Sequence, residues 1–306
     1  MMSETISGYV HPGYAAALAE HGTPFLLGAS GGWILVSPIE NTTEFDARGC
    51  YPLFCCRSWE RLREDLESLK GALVSLTLVT DPMGDYTPGE LSECFPDLCR
   101  AYKEHFVVDL SVPLDRFVAK THARYARKAS HDVRVAIAEE PLLLLDAWVG
   151  LYANLVARHG IQGIGAFSRE SFAQQLQVPG LVAFAALHGG ETVGMILFYV
   201  KGERAYYHLA AYSDRGYELR ASYALFATAL GYFAARLRWV NLGAGAGIVG
   251  DANDGLSRFK RGWSTGARPA YLCGRIFDRY LYDEISRSRH ATVNGYFPLY
   301  REALTS

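Results

Sequence analysis

The sequence predicts a mixed α/β chain with α+β character, in which mixed sheets are flanked by helices. Three observations carry this. Short apolar runs bounded by glycine-rich turns alternate with segments whose apolar residues recur every three or four positions. Half of the residues are hydrophobic, which suffices for a large core. The chain has 306 residues, more than one average domain uses and comfortable for two.

In the first half, 24–28 and 32–36 flank Ala29-Ser30-Gly31, which is a hairpin signature. Residues 51–56 read as a further strand, and 58–69 carry Leu62, Leu66 and Leu69 at helical spacing. Residues 73–79 are a buried strand rich in Leu and Val. Asp81-Pro82-Met83-Gly84 is a turn, Pro88-Gly89-Glu90 opens a short helix, and 105–110 form another strand.

The expected boundary lies at Ser111-Val112-Pro113, giving domains 1–111 and 112–306, with Pro113 suited to a first helical turn. The helix predicted over 114–129 is strongly basic, with Arg116, Lys120, Arg124, Arg127 and Lys128 three or four residues apart. Residues 133–137 read as a strand, and 142–158 as an amphipathic helix. Ser168 caps another helix. A three-strand meander follows over 180–187, 193–200 and 205–212, with glycine turns between. A long helix is predicted from 213 to 237. The strand at 239–242 then returns parallel to the third meander strand, because a helix crosses between them.

Charge and cysteine usage weigh against several classes, although a local basic face can exist on a neutral protein. Lys+Arg (30) and Asp+Glu (32) nearly balance, so no bulk positive field draws in DNA or other nucleic acid. No run of about 18 apolar residues appears, so no membrane span is expected. Met1-Met2-Ser3-Glu4-Thr5 lacks the basic and apolar regions of a signal peptide, and a cytoplasmic location is expected. The six cysteines (Cys50, Cys55, Cys56, Cys94, Cys99 and Cys273) form no CxxC pair and no zinc pattern. They read as buried thiols, and no metal site is expected.

The most informative stretch is Gly255-Leu256-Ser257-Arg258-Phe259-Lys260-Arg261-Gly262-Trp263, which follows the glycine run Gly243-Ala244-Gly245-Ala246-Gly247. That run lacks the G-x-G-x-x-G spacing and βαβ context of a dinucleotide site, and reads as a loop that lets backbone approach a ligand. Together with His208-Leu209-Ala210-Ala211-Tyr212-Ser213, Ala221-Ser222-Tyr223-Ala224-Leu225 and the basic helix ending Tyr125-Ala126-Arg127-Lys128-Ala129, these residues resemble the GNAT acyltransferases. The resemblance is to the branch with two such units in one chain, which includes the Fem-type aminoacyl-tRNA-dependent transferases.

The resemblance implies tandem GNAT-like units, a degenerate one over 1–111 and the acyltransferase unit over 112–306. It implies a split between the third meander strand and its parallel neighbour, where a donor carbonyl rests. Lys260 is then catalytic, stabilising charge as the acyl group moves. Phosphates of the donor would meet the helix entry at Gly216, Arg220 and Ser222, with Arg258 nearby. The turn 215–221 departs from the Gln/Arg-x-x-Gly-x-Gly/Ala pattern of acyl-CoA enzymes, and Gly216 also reads as a plain turn residue. His208 reads as a proton acceptor for the amine or as a satisfied core histidine. Tyr206 shares its face and polarises the donor or orients the acceptor. Gly243, Gly245 and Arg127 are expected on the substrate side, as is Asp254, which reads first as a helix cap.

The first functional reading is an N-acyltransferase that moves an acyl group from acyl-CoA to a small or peptide amine, with no permanently bound cofactor. The alternative is a Fem-type enzyme taking an aminoacyl group from tRNA. A third reading is a non-catalytic binding module on a transferase fold.

Overall fold

The computed structural model describes residues 6–246, 254–289 and 296–304, the last three of these by backbone alone. Gly247, the final glycine of the predicted loop, and Met1-Met2-Ser3-Glu4-Thr5 lie outside the described residues. The strands are β1 (Thr23–Leu26), β2 (Trp33–Pro38), β3 (Phe45–Gly49), β4 (Ser75–Val79), β5 (Leu98–Asp109), β6 (Arg134–Ile137), β7 (Leu181–His188), β8 (Glu191–Lys201), β9 (Arg204–Tyr212), β10 (Trp239–Asn241) and β11 (Gly266–Ile276).

The chain divides into two compact units, one of residues 18–102 with 269–306, the other of 1–17 with 103–268. The sequence predicts a single cut near 111. The chain instead crosses between units inside β5 and β11, because the strand expected at 105–110 begins already at Leu98.

The unit of 18–102 and 269–306 holds the expected β1–β2 hairpin, antiparallel with Phe25 opposite Ile34. Its turn is anchored by the buried Asp65 carboxylate, which accepts the Ala29 and Ser30 amides at 2.8 and 2.6 Å. β3 pairs antiparallel with β2 and parallel with β4, and β11 pairs antiparallel with β4. Leu62 and Leu66 on the helix Leu62–Ser68, with Leu69 just beyond it, pack with Leu76 and Leu78 in this unit's core. The strand expected at 51–56 is irregular apart from a parallel bridge between Phe54 and Thr80. Its apolar run marks burial rather than pairing, since Leu53, Phe54, Cys55 and Cys56 are all buried. The paired strand is the preceding Phe-Asp-Ala-Arg-Gly stretch, whose residues do not alternate cleanly.

The unit of 1–17 and 103–268 contains the predicted meander. β7, β8 and β9 pair antiparallel in sequence, and β6 lies beside β7. β10 is parallel to β9, as the crossover rule requires, and antiparallel to β5. The long helix expected at 213–237 is two helices, Asp214–Glu218 and Ala221–Ala234, broken where Arg220 takes a left-handed φ of 56°. The basic helix is likewise two, Leu114–Phe117 and Lys120–Asp132. Ala221–Ala234 is buried nearly all round: Leu225, Phe226, Leu230 and Phe233 join the core of this unit. Each such side chain contributes about 1.5–3 kcal/mol of apolar burial.

Candidate active site

The β9–β10 ladder is short. It pairs Trp239 with Arg204, Val240 with Ala205 and Asn241 with Tyr206, and then stops. Beyond Asn241 the chain stays with β5, since the Leu242 amide donates to the Phe106 carbonyl at 2.8 Å and Phe106 donates back to Gly243 at 3.1 Å. β9 meanwhile runs on to Tyr212 with only β8 as partner. Two parallel neighbours therefore part company after Tyr206, and a gap opens between them. β9 also carries a bulge, where Phe198 and Leu197 of β8 face Tyr207 and Leu209 and leave His208 unpaired in the ladder.

The open end of the gap is bordered by the loop Leu242–Ala246 and the helix Gly255–Arg261. Gly243 turns the chain at a φ of 76°, in the left-handed region that favours glycine. At Gly245 an added Cβ would stand 2.0 Å from Ser257 Oγ, so only glycine lets the loop lie against the helix start. Asp254 caps that helix: its Oδ1 accepts the Leu256 and Ser257 amides at 2.8 and 3.0 Å, and its Oδ2 accepts the Ser257 hydroxyl. Burial raises its pKa, but these hydrogen bonds outweigh it and the net shift is downward. The cap expected from the sequence is present, and its oxygens are committed to the helix start and to the Ala246 amide of the loop.

Lys260 points inward from this helix and is 3% exposed. Its Nζ donates to the Ala244 carbonyl at 2.7 Å and sits 4.6 Å from the Tyr207 ring centroid. Burial and the nearby charge of Lys103 lower its pKa to about 7, against a partial restoring pull from Asp254. An amine so placed changes protonation state near neutral pH. The helix is held from below by His122, whose Nε2 donates to the Phe259 carbonyl at 3.0 Å. The His122 ring lies against Phe259, Trp263 and Tyr223.

The other expected site residues separate into groups. Tyr207 faces Phe226, Phe198 and Lys260, whereas Tyr206 and His208 lie on the opposite face with Tyr9. His208 is 5% exposed, and both ring nitrogens are engaged. Tyr9 Oη lies 3.1 Å from Nδ1 and Gln175 Oε1 lies 2.8 Å from Nε2. Because Gln175 Nε2 donates to Ser171, its Oε1 is the acceptor, so His208 Nε2 carries the hydrogen. Burial drives the His208 pKa to about 3. His208 is thus a buried histidine with both ring nitrogens engaged.

Gly216 is a packing glycine: a Cβ there would meet the Val193 carbonyl oxygen at 2.0 Å. Arg220 is exposed and stacks 4.1 Å over the Tyr125 ring, which Arg124 also approaches at 5.1 Å. Ser222 is half-buried in the first turn of Ala221–Ala234. Arg258 and Arg127 are exposed on their helices. The structure thus brings Lys260 together with Gly243, Gly245 and Asp254, and groups Arg220 with the basic helix.

Four residues around Lys260 and its loop were not among the expected site residues: His105, Lys103, Asn241 and Tyr207. His105 on β5 is 7% exposed, and its Nδ1 lies 3.1 Å from Asn241 Oδ1. Burial takes its pKa to about 3, with Lys260 and Lys103 pushing the same way against the Asn241 bond. Among the described residues, no group of three or more His, Cys, Asp or Glu side chains is placed to hold a metal ion, and no helix is long and apolar enough to cross a membrane.

Comparison with known proteins gives the same picture. Residues 116–261 match the family described as the acetyltransferase (GNAT) domain. The fold is similar to that of FemX, at a TM-score of 0.65 and 11% identity over 90% of this chain and 93% of that one. It is also similar to the C-terminal domain of a putative lysylphosphatidylglycerol synthetase from Agrobacterium fabrum, at a TM-score of 0.60 and 17% identity over 90% and 89% of the two chains. L-PGS from Bacillus licheniformis follows at 0.51 and 16%, over 91% and 95%. No curated protein matches the sequence. The parted strands and the family match fall in the same part of the chain: residues 116–261 match the acetyltransferase (GNAT) domain, a little under half of the sequence.

Proposed function

We propose that the GNAT domain is an N-acyltransferase that moves an acyl group from acyl-CoA to the amine of a small acceptor, an amino sugar or a peptide amine. The observation that carries this is the inward-facing Lys260 amine at the open end of the β9–β10 gap. The donor carbonyl lies in the gap. The acceptor amine attacks it, a C–N bond forms, and neutral Lys260 takes the amine proton. The resulting ammonium stabilises the tetrahedral oxyanion, and the proton passes to sulfur as the C–S bond breaks, releasing free CoA thiol and the amide. A lysine with a pKa of about 7 suits both halves of that cycle.

A second reading, an aminoacyl-tRNA donor, has its own support. Gly216 packs on Val193 instead of opening toward a ligand, and Lys120, Arg124, Arg127 and Lys128 stand exposed along one helix. In this reading the cationic helix holds tRNA phosphates. Fold similarity to FemX over both units is in keeping with it. Mass spectrometry of reactions containing a panel of amines, with acyl-CoA or aminoacyl-tRNA as donor, tests both. Amide product with one donor class selects between them. Absence of product with either donor overturns the proposal in favour of a binding module.

A further inference from the structure

A path of direct contacts runs from β5 to the Lys260 amine. Asn241 Oδ1 accepts the Gly243 amide at 2.8 Å, so this oxygen is an acceptor and His105 must present Nδ1–H to it. Two donors, one a side chain and one the loop backbone, therefore converge on a single amide oxygen. That convergence fixes where the chain turns at Gly243, and the next residue supplies the carbonyl that holds Lys260 Nζ at 2.7 Å. The fit is close: a Cβ on Gly243 would stand 3.1 Å from Nζ. His105, Asn241 and Lys260 are all buried, so each bond is made away from water, where an unmet polar group costs most.

We propose that His105 and Asn241 are a positioning pair that fixes the loop at Gly243 and, through the Ala244 carbonyl, seats the Lys260 amine at the open end of the gap. The pair touches no substrate in this reading; it acts through Lys260. As a catalytic consequence it rests on the proposed acyl transfer, but as a statement about Lys260 it stands on geometry alone. Four other groups face the amine: Lys103 and His105 from β5, Tyr207 from β9 and Asp254 from its own helix. Releasing the loop exposes Nζ to water and relaxes its low proton affinity toward that of an ordinary lysine, in line with the burial that depresses it.

The test needs no substrate. The full chain is pulse-labelled with acetic anhydride across a pH series, and acetylation of Lys260 is read by peptide mass spectrometry. The wild-type Lys260 midpoint is expected near 7. In Asn241→Leu and His105→Phe, verified as folded by circular dichroism, the midpoint is expected to rise by at least one unit, with labelling at neutral pH at least ten-fold lower. Asn241→Asp keeps the acceptor oxygen, so its loop holds and its labelling at neutral pH stays closer to wild type than that of Asn241→Leu. Wild-type midpoints in Asn241→Leu and in a folded His105→Phe overturn the pairing; should His105→Phe not fold, the Asn241→Leu and Asn241→Asp comparison decides alone. If the midpoint moves while no donor gives product in the wild-type assay, the acyl-transfer reading fails and the positioning pair stands.

Discussion

His105 and His208 look alike by most measures. Both are buried, each meets a side-chain amide oxygen (Asn241 or Gln175), and both have a pKa near 3. Their surroundings differ. His208 sits in a cage of Tyr9, Tyr14, Tyr199 and Phe167, and burial alone accounts for its shift. His105 shares its environment with the charges of Lys260 and Lys103. The hydrogen placements differ too: His208 carries its hydrogen on Nε2, His105 on Nδ1. A depressed pKa by itself therefore does not separate a histidine in an aromatic cage from one beside two lysines. What separates them is the residue at the other end of the hydrogen bond.

Substitutions can break this contrast, and the largest effect falls on Lys260. Lys260→Ala should lower turnover at least about 100-fold, the scale of losing a charge-stabilising group, while thermal melting changes far less. Turnover near that of wild type would remove Lys260 from the chemistry. His208→Leu should cost about 2–3 kcal/mol of stability by leaving Gln175 and Tyr9 without their partner, read as a lower denaturant midpoint. It should leave the Lys260 labelling midpoint where it was, and a shift there would erase the distinction between the two histidines.

Acid unfolding sharpens the comparison further. Both histidines have folded pKa values near 3, below the usual histidine value of 6.5. The stability they contribute is complete above about pH 6.5 and is lost as pH falls toward 3, because the unfolded chain binds the protons first. Stability measured at falling pH should therefore decline across that window, and a His208 variant should decline less steeply. Lys103→Met has a smaller expected effect: removing one like charge raises the Lys260 midpoint by less than a unit, the direction set by their repulsion. Smallest is Arg127→Glu, on an exposed helix face, which should change stability by no more than about 0.5 kcal/mol while weakening any phosphate-bearing donor.

Much of the architecture was legible from the sequence. The meander and the parallel return of β10 follow from period-two apolar runs, glycine turns and a crossing helix, all local signals. The Asp254 cap and the glycine loop were legible for the same reason. The break at Arg220 was not, because arginine carries no signal for a left-handed backbone and the apolar pattern continues through it. β3 was missed because its residues do not alternate, and the apolar run after it drew the assignment instead. His105 was hidden by distance: 136 residues separate it from Asn241, and within its own strand nothing marks it. His208 stood out beside two tyrosines, but those tyrosines face opposite sides of β9, and the side His208 shares is closed by Tyr9.

The docking of His122 has a mechanical consequence. Its ring nitrogen holds the Phe259 carbonyl, Gly262 leaves no room for a Cβ beside it, and the Ala119 amide bonds the Gly262 carbonyl at 2.9 Å. The cationic rod that carries Arg124 and Arg127 and the short helix that carries Lys260 are thereby geared together, so a load on one is felt one residue from the buried Lys260 on the other.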